Sequence, residues 1–365
     1  MTFIPVNLEE SRNLEHGLPM RSFRDRDYLI TREGFIFVVI GNLHPADRVI
    51  AYLKYVPDKH GRWGHGDSHY RRVLGHYSVP CVIESMRFLG RNAPEYVFES
   101  NVHGIRLPAV PTDRIVEHLR PEQRILQLQS AGQRDELENK ALRLIDRISI
   151  DAGVSVDSLG LTGSVLAGIH DPSFSDIDAV VYGSENALRV RSCLQNKPST
   201  GPIRELAGAS REKWVAERLS STPLTRQNVL DLLARKWNIG LFEGTAFSIH
   251  AVHTESEAQE HYGDERYVRV GLVEVMAKTS DCSESLFMPA VYRVGTAALK
   301  GEFSGYSVDR IVSFEGLYAD VARDDEMISC KGKLERVESA SGIRHRIVIG
   351  SPEAEGNDYL LPIQS

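Results

Sequence analysis

Between Leu159 and Gly183 the chain reads LGLTGSVLAGIHDPSFSDIDAVVYG. Asp176 and Asp178 stand two apart at the start of an apolar run. Side chains alternate across a strand, so both carboxylates point to one face while Ile177 and Ala179 point to the other, toward a core. Two carboxylates held together repel each other and are costly without a cation. Mg²⁺ resolves the conflict, because it takes oxygen ligands, keeps waters, and binds through one or two carboxylates plus substrate phosphates. Gly163-Ser164 reads as a strand-to-helix turn. Its glycine lets backbone approach a phosphate closely, the following helix N-terminus offers free N–H groups to an anion, and Ser164 adds a hydroxyl. A phosphate cradle therefore stands beside a metal-binding carboxylate pair, the equipment of phosphoryl or nucleotidyl transfer.

Gly-Ser, eleven intervening residues, Asp-Ile-Asp and then AVVYG resemble the motif of the polymerase β-like nucleotidyltransferase superfamily. The match is close over about 25 residues and extends more loosely through the order of surrounding helices and strands. The whole chain also resembles a group of archaeal predicted nucleotidyltransferases with flanking domains on both sides. The resemblance implies that a nucleoside triphosphate binds with its phosphates at Gly163 and Ser164. It implies that Asp176 and Asp178 hold one or two Mg²⁺ ions, with Mn²⁺ as a substitute. The metal would activate an acceptor hydroxyl and steady the leaving pyrophosphate.

Two departures qualify the match. The family usually carries a third carboxylate on a later strand, facing the first two. The corresponding segment here is FSIHAVH, with Ser248, His250 and Val252 on one alternation and no acid among them. Glu243 before the strand and Glu255 after it stand to reach in, and Glu243 is the candidate third catalytic group. Leu166-Ala167 occupies the place where small antitoxin-type members carry Ala-Arg, which argues against that subgroup.

Hydrophobic patterning divides the chain into residues 1–129, 130–262 and 263–365. The first part has strands at FIFVVIG and RVIAYLKYVP, a polar loop, a helix over Val79–Arg91, and one further strand at YVFESNVHGIRLPAVP. It reads as an α/β domain. The second begins with an amphipathic helix carrying Leu137, Ala141, Leu144, Ile145 and Ile148, and later has a helix with Thr225 as its N-cap. The third is a series of short alternating segments and reads as a β-rich, barrel-like domain. The expected fold is therefore α+β, a polymerase β-like core with a domain on either side.

Other signals are weaker. Arg235 and Lys236 end a helix shortly before FSIHAVH and are candidates for nucleotide binding, with Trp237 for stacking. They also suit a helix C-terminus, where cations meet the dipole. The segment from Lys59 to Arg72 mixes Arg62, Arg71 and Arg72 with Trp63 and Tyr70, a combination suited to single-stranded nucleic acid, or is a plain loop. His60, His65 and His69 lie within it at a spacing that matches no defined metal site. Cys81, Cys193, Cys282 and Cys330 are scattered and read as free thiols. A net charge of −7 excludes a strongly basic coating protein but not a local basic groove. The chain has no apolar run of membrane-spanning length, and its first residues are charged where a signal peptide needs an apolar stretch. The expectation is a cytoplasmic Mg²⁺-dependent nucleotidyltransferase without a membrane partner, with RNA, a protein hydroxyl or a small molecule as acceptor. The alternatives are a non-catalytic nucleotide- or RNA-binding module on the same fold, and a structural subunit that forms homo-oligomers through its C-terminal part.

Overall fold

A computed structural model describes residues 21–73, 79–299 and 301–363. The charged first residues weighed above as a signal segment lie outside this set, as does the Cys81 side chain. The described residues form seven α-helices and three sheets.

The N-terminal sheet is built from β1 (Tyr28–Thr31), β2 (Ile36–Val39), β3 (Arg48–Pro57), β4 (Trp63–His65) and β5 (Ser68–Arg72). Helix α1 (Val79–Asn92) follows, then β6 (Val97–Ser100), β7 (Ile105–Pro111) and β8 (Ile115–Leu119). Every pairing is antiparallel. The domain is mixed, strands with one long helix, and its sheet is antiparallel, so it needs no crossover helix between neighbouring strands. One face buries Leu29, Phe37 and Leu53 with Leu89 of α1. The other packs Tyr28, Ile36, Val38 and Tyr52 against Leu166 and Ile169 of the central unit. Burial on both faces explains the unbroken apolar run FIFVV. The polar segment read as a loop is the β4–β5 hairpin, with His65 opposite Ser68 across a turn at Gly66-Asp67. YVFESNVHGIRLPAVP is two strands, because Gly104 adopts φ +63° between them.

The central unit contains α2 (Pro121–Ser130), α3 (Glu136–Ala152), β9 (Leu159–Thr162), α4 (Gly163–Leu166) and β10 (Ile177–Tyr182). It continues with α5 (Ser184–Leu194), β11 (Ile203–Arg204), α6 (Gly208–Leu219), α7 (Arg226–Ala234), β12 (Ile239–Phe242) and β13 (Thr245–Val252). The strand order is β11-β12-β13-β10-β9. β10 and β13 are parallel and the remaining pairs antiparallel. Ile177, Ala179 and Val181 join Leu144, Ile145 and Ile148 of α3 in one core, which puts Asp178 and Val180 on the opposite face. Thr225 caps α7 as expected, its side chain accepting from Asn228 N.

The C-terminal strands are β14 (Glu265–Asp281), β15 (Ala290–Ala298), β16 (Ser307–Ser313), β17 (Met327–Ser339), β18 (Gly342–Ile349) and β19 (Tyr359–Pro362). Five of them close into a ring, β14-β15-β16-β18-β17 and back to β14. The β16–β18 contact is parallel and the other ring contacts antiparallel. The interior holds Val273, Tyr292, Ile311, Leu334 and Ile347, and Val215 of α6 with Val229 and Leu232 of α7 join the same cluster. Cys282 and Cys330 are buried and Cys193 half-buried, all as free thiols.

Glu315 follows β16 and is buried. Burial first, then the charge of Asp358, pushes its carboxyl up to about 8 from an ordinary 4.5. Between those limits the folded chain holds a proton that the unfolded chain lacks. The resulting stabilisation is complete below about pH 4.5 and is lost as pH rises through about 8. Glu315→Gln is expected to flatten this dependence and to stabilise the protein at pH 8 by roughly 1–3 kcal/mol. Denaturant unfolding at pH 5 and pH 8 measures it; equal pH slopes in both proteins would contradict it.

Candidate active site at the aspartate pair

β9 ends at Thr162 and turns through Gly163, whose φ of +71° is the left-handed region. The antiparallel β9–β10 register sets Thr162 opposite Asp178. A Cβ on Gly163 would lie 2.3 Å from Asp178 Oδ2, so only glycine lets the turn pass this close. Ser164 is buried in the same turn. The helix that follows has four residues and therefore little macrodipole. Anion binding here would rest on backbone N–H groups and the Ser164 hydroxyl, not on a helix field.

The pair is electrostatically strained. The charge of Asp178 and then burial push the Asp176 carboxyl up to about 6. Burial works to raise Asp178 as well, but Lys54, His250 and a hydrogen bond from Ser248 outweigh it and hold it below its ordinary value. Of the two, Asp176, whose residue is exposed, is therefore the one that takes up a proton first as pH falls. The Ser248 hydroxyl donates to Asp178 Oδ1 at 2.5 Å and lies 3.0 Å from His250 Nε2. Burial and then the charge of Arg26 lower His250 to about 3, so the ring is neutral. Ser248 and His250 thus fill the place where the family resemblance leads one to seek a third acid.

The N-terminal sheet packs over this face and supplies Lys54, which sequence reasoning missed, and Arg72, which it had named only for nucleic-acid contact. Lys54 of β3 donates to Tyr28 Oη at 2.6 Å. Burial and then Arg72 lower its ammonium to about 8, against the pull of Asp178 and Asp176. Arg72, paired across strands with Tyr55, senses Asp176. Thr162 Oγ1 donates to Arg26 O at 2.9 Å, fixing the Gly163 turn to the sheet. The available signal was a lone lysine inside the apolar strand RVIAYLKYVP, since a buried-strand lysine calls for a partner.

Other candidates are placed elsewhere. Glu243 sits at the β12–β13 turn and pairs with Arg143 of α3 at 2.6 Å, so the expectation that it reaches the aspartates is corrected. Lys140 of α3 likewise bonds Thr245; the α3 cations hold this turn on the far face of the sheet. Glu255 pairs with Arg24, Nε to Oε1 at 2.9 Å. Arg235 and Lys236 also depart from the site. Arg235 pairs with Glu326 at 2.6 Å, and Lys236 Nζ donates to Gly316 O at 2.8 Å and Ala319 O at 2.5 Å. Both tie α7 to the barrel, and Trp237 is in the core. Within the β4–β5 hairpin, Trp63 packs edge-on to Phe174 at 5.7 Å and Arg62 lies 3.9 Å over the Phe174 ring. Those groups brace the loop before Asp176.

Asp135, Glu138 and His170 come close enough to hold a metal ion. The protein already uses them: Asp135 Oδ1 accepts from Glu138 N, Oδ2 meets His170 Nε2 at 2.8 Å, and Glu138 bonds Asp135 N and Arg124. The trio is the capping box of α3 with a histidine attached. A cavity of about 1380 Å³ lies between the N-terminal sheet, α1 and the barrel, lined in part by Tyr52, Met86, Arg106, Tyr267, Phe314 and Arg346. Asp176 and Asp178 do not line it; its wall residue Tyr52 packs in one cluster with Leu166 and Ile169, which follow the Gly163-Ser164 turn.

Gly163→Ala combines a left-handed backbone with the clash at Asp178, whereas Gly168, at φ +64°, has nothing within 4 Å of its would-be Cβ. Gly168→Ala is expected to cost about 1 kcal/mol, the left-handed penalty alone, and Gly163→Ala about 2–4 kcal/mol. Unfolding free energies of the two variants check this; equal losses would contradict it.

The chain is 27% identical over 340 residues to an uncharacterised protein of Methanocaldococcus jannaschii, covering 92% of this chain and 98% of that protein. No family model matches the chain, and no solved structure matches it. Among the described residues, no helix is long and apolar enough to cross a membrane.

Proposed function

We propose that the chain is a Mg²⁺-dependent nucleotidyltransferase that moves a nucleotide from a nucleoside triphosphate to an acceptor hydroxyl, with RNA as the favoured acceptor. The observation that carries this reading is the pair formed by Asp176, just before β10, and Asp178 within it, mutually repelling, with Asp178 pressed against the Gly163 turn. In the reaction the acceptor oxygen attacks the α-phosphorus and its proton passes to solvent. The bond to the α–β bridging oxygen breaks, and pyrophosphate leaves with that electron pair.

The residues fit a divalent cation, because Asp178 turns Oδ1 to Ser248 while Oδ2 faces Gly163 and Asp176 opens to solvent. Asp176 and Asp178 would hold Mg²⁺, or Mn²⁺ in its place, and the ion would supply charge neutralisation and Lewis acidity to phosphate oxygens. Gly163 and Ser164 present backbone and hydroxyl donors to the phosphates. Ser248 fixes the Asp178 rotamer.

The barrel supports a nucleic-acid acceptor. Its first, second, third, fifth and fourth strands neighbour one another in that order, with the third and fifth parallel. We read this as the connectivity of the OB-fold, a barrel used to bind oligonucleotides. The large cavity borders the barrel and is lined in part by basic and aromatic side chains, Arg106, Tyr267 and Arg346 among them, which suits a polyanionic acceptor. A second reading, a non-catalytic nucleotide- or RNA-binding module, is favoured by one observation: Ser248 stands beside Asp178 where the resemblance leads one to seek an acid.

Pyrophosphate release from each nucleoside triphosphate, with Mg²⁺ or Mn²⁺ and with or without bulk RNA, tests the proposal. Asp178→Asn is expected to lower release on the order of 10²-fold or more, the scale of losing one transition-state charge stabiliser. Release that survives the substitution would overturn the assignment. Nucleotide binding without release would favour the binding module.

A further inference from the structure

Lys54 and Arg72 are half-buried cations that the fold leaves without an acidic partner among the described residues. An ammonium has three donors, and that of Lys54 makes one hydrogen bond, to Tyr28 Oη. Arg72 Nε is buried with no hydrogen-bond partner, and among the described residues no carboxylate forms an ion pair with either cation. They are neighbours on paired strands, where Val73 N bonds Lys54 O at 2.9 Å. Both sit on the tyrosine-rich face that packs over the Gly163-Ser164 turn: Lys54 Nζ bonds Tyr28 and lies 5.3 and 5.7 Å over the Tyr28 and Tyr55 rings, Arg72 pairs across strands with Tyr55, and Tyr28, Tyr52 and Tyr55 pack with Leu166 and Ile169. The charges of Asp176 and Asp178 act on Lys54, and that of Asp176 on Arg72. A buried guanidinium donor left without a partner is costly. Two neighbouring cations without a carboxylate partner suit an anionic ligand.

The chemistry of that ligand follows from the charges around it. It must bring acceptor oxygens and negative charge to Lys54 and Arg72, and it must lie beside two carboxylates that repel an anion unless a divalent cation intervenes. A magnesium-complexed polyphosphate meets both demands. We infer that Lys54 and Arg72 of the N-terminal sheet bind the β- and γ-phosphates of the nucleoside triphosphate, so that the N-terminal domain forms half of the nucleotide site. This rests on the nucleotidyl-transfer reading for the identity of the triphosphate, but the anion site stands on the two cations themselves. Arg72 suits the task because its planar fork can take two phosphate oxygens at once, while Lys54 acts as a point charge.

Inorganic tripolyphosphate, titrated with Mg²⁺ into the full chain in a calorimeter, probes the site without the nucleoside. Wild type is expected to bind it. Arg72→Met and Lys54→Met are each expected to weaken binding tenfold or more, while Lys54→Arg retains most of it. Thermal melts of the variants establish folding, and the Lys54→Arg result separates a lost charge from a damaged core. Absence of tripolyphosphate binding to wild type, or undiminished binding by folded Arg72→Met and Lys54→Met, would overturn the inference. Pyrophosphate release assayed on the same proteins separates the two ideas. Release that requires Asp178 but survives both Met substitutions leaves the enzyme reading standing and removes the clamp. Tripolyphosphate binding that requires Arg72, with no release from any nucleoside triphosphate, keeps the clamp and removes the enzyme.

Discussion

Two neighbouring carboxylates, one leading into β10 and one within it, set the terms for much of this structure. Asp178 is enclosed by the fold, and its charge lifts the Asp176 carboxyl to about 6. The surroundings answer that charge in several ways. Ser248 donates to one oxygen of Asp178, the turn beside the other can contain only glycine, and Lys54 and Arg72 lean over the pair from a different sheet. None of these cations forms a direct ion pair with the aspartates. Their positive charge nonetheless moderates the repulsion.

The local geometry of the pair was legible because it follows from short-range rules. Alternation along β10 places Ile177, Ala179 and Val181 in the core and Asp178 on the other side, as two-residue periodicity requires. The Gly163 turn was legible for the same reason, as were Thr225 as a cap and the five apolar positions of α3. Long-range partners were not. Nothing in the text of RVIAYLKYVP says which sheet face meets which domain, so Lys54 could be noticed as odd but not placed. Glu243 was near Ser248 in number, yet the α3 cations Arg143 and Lys140 hold its turn on the opposite side of the sheet. Arg235 and Lys236 looked like anion-binding groups because charge is visible in a sequence while the carbonyls of Gly316 and Ala319, some 80 residues away, are not.

The junction between the central unit and the barrel is polar at its heart. Lys236 is buried and reaches two barrel carbonyls, with its ammonium lowered to about 7 by burial. An amine without its extra proton still donates two hydrogen bonds, so the joint does not depend on full charge. Around it, Arg235 pairs with Glu326 and Arg191 with Asp320 at 2.8 Å. The apolar contribution comes from α6 and α7, whose Val215, Val229 and Leu232 enter the barrel cluster. Directional bonds at the centre with apolar packing beside them fix orientation as well as contact.

Leu166 and Ile169 follow the Gly163-Ser164 turn, and each is only 5% exposed because the tyrosine-rich face of the N-terminal sheet covers it. The motif-bearing unit therefore does not have a water-compatible surface of its own at the place where its chemistry is sited. Cut out as a separate fragment, residues 130–262 would present that greasy rim to solvent beside a pair of carboxylates stripped of their nearest cations. The smallest piece of this chain fit for expression and study extends through the N-terminal sheet, however completely the recognisable sequence signature falls inside the centre.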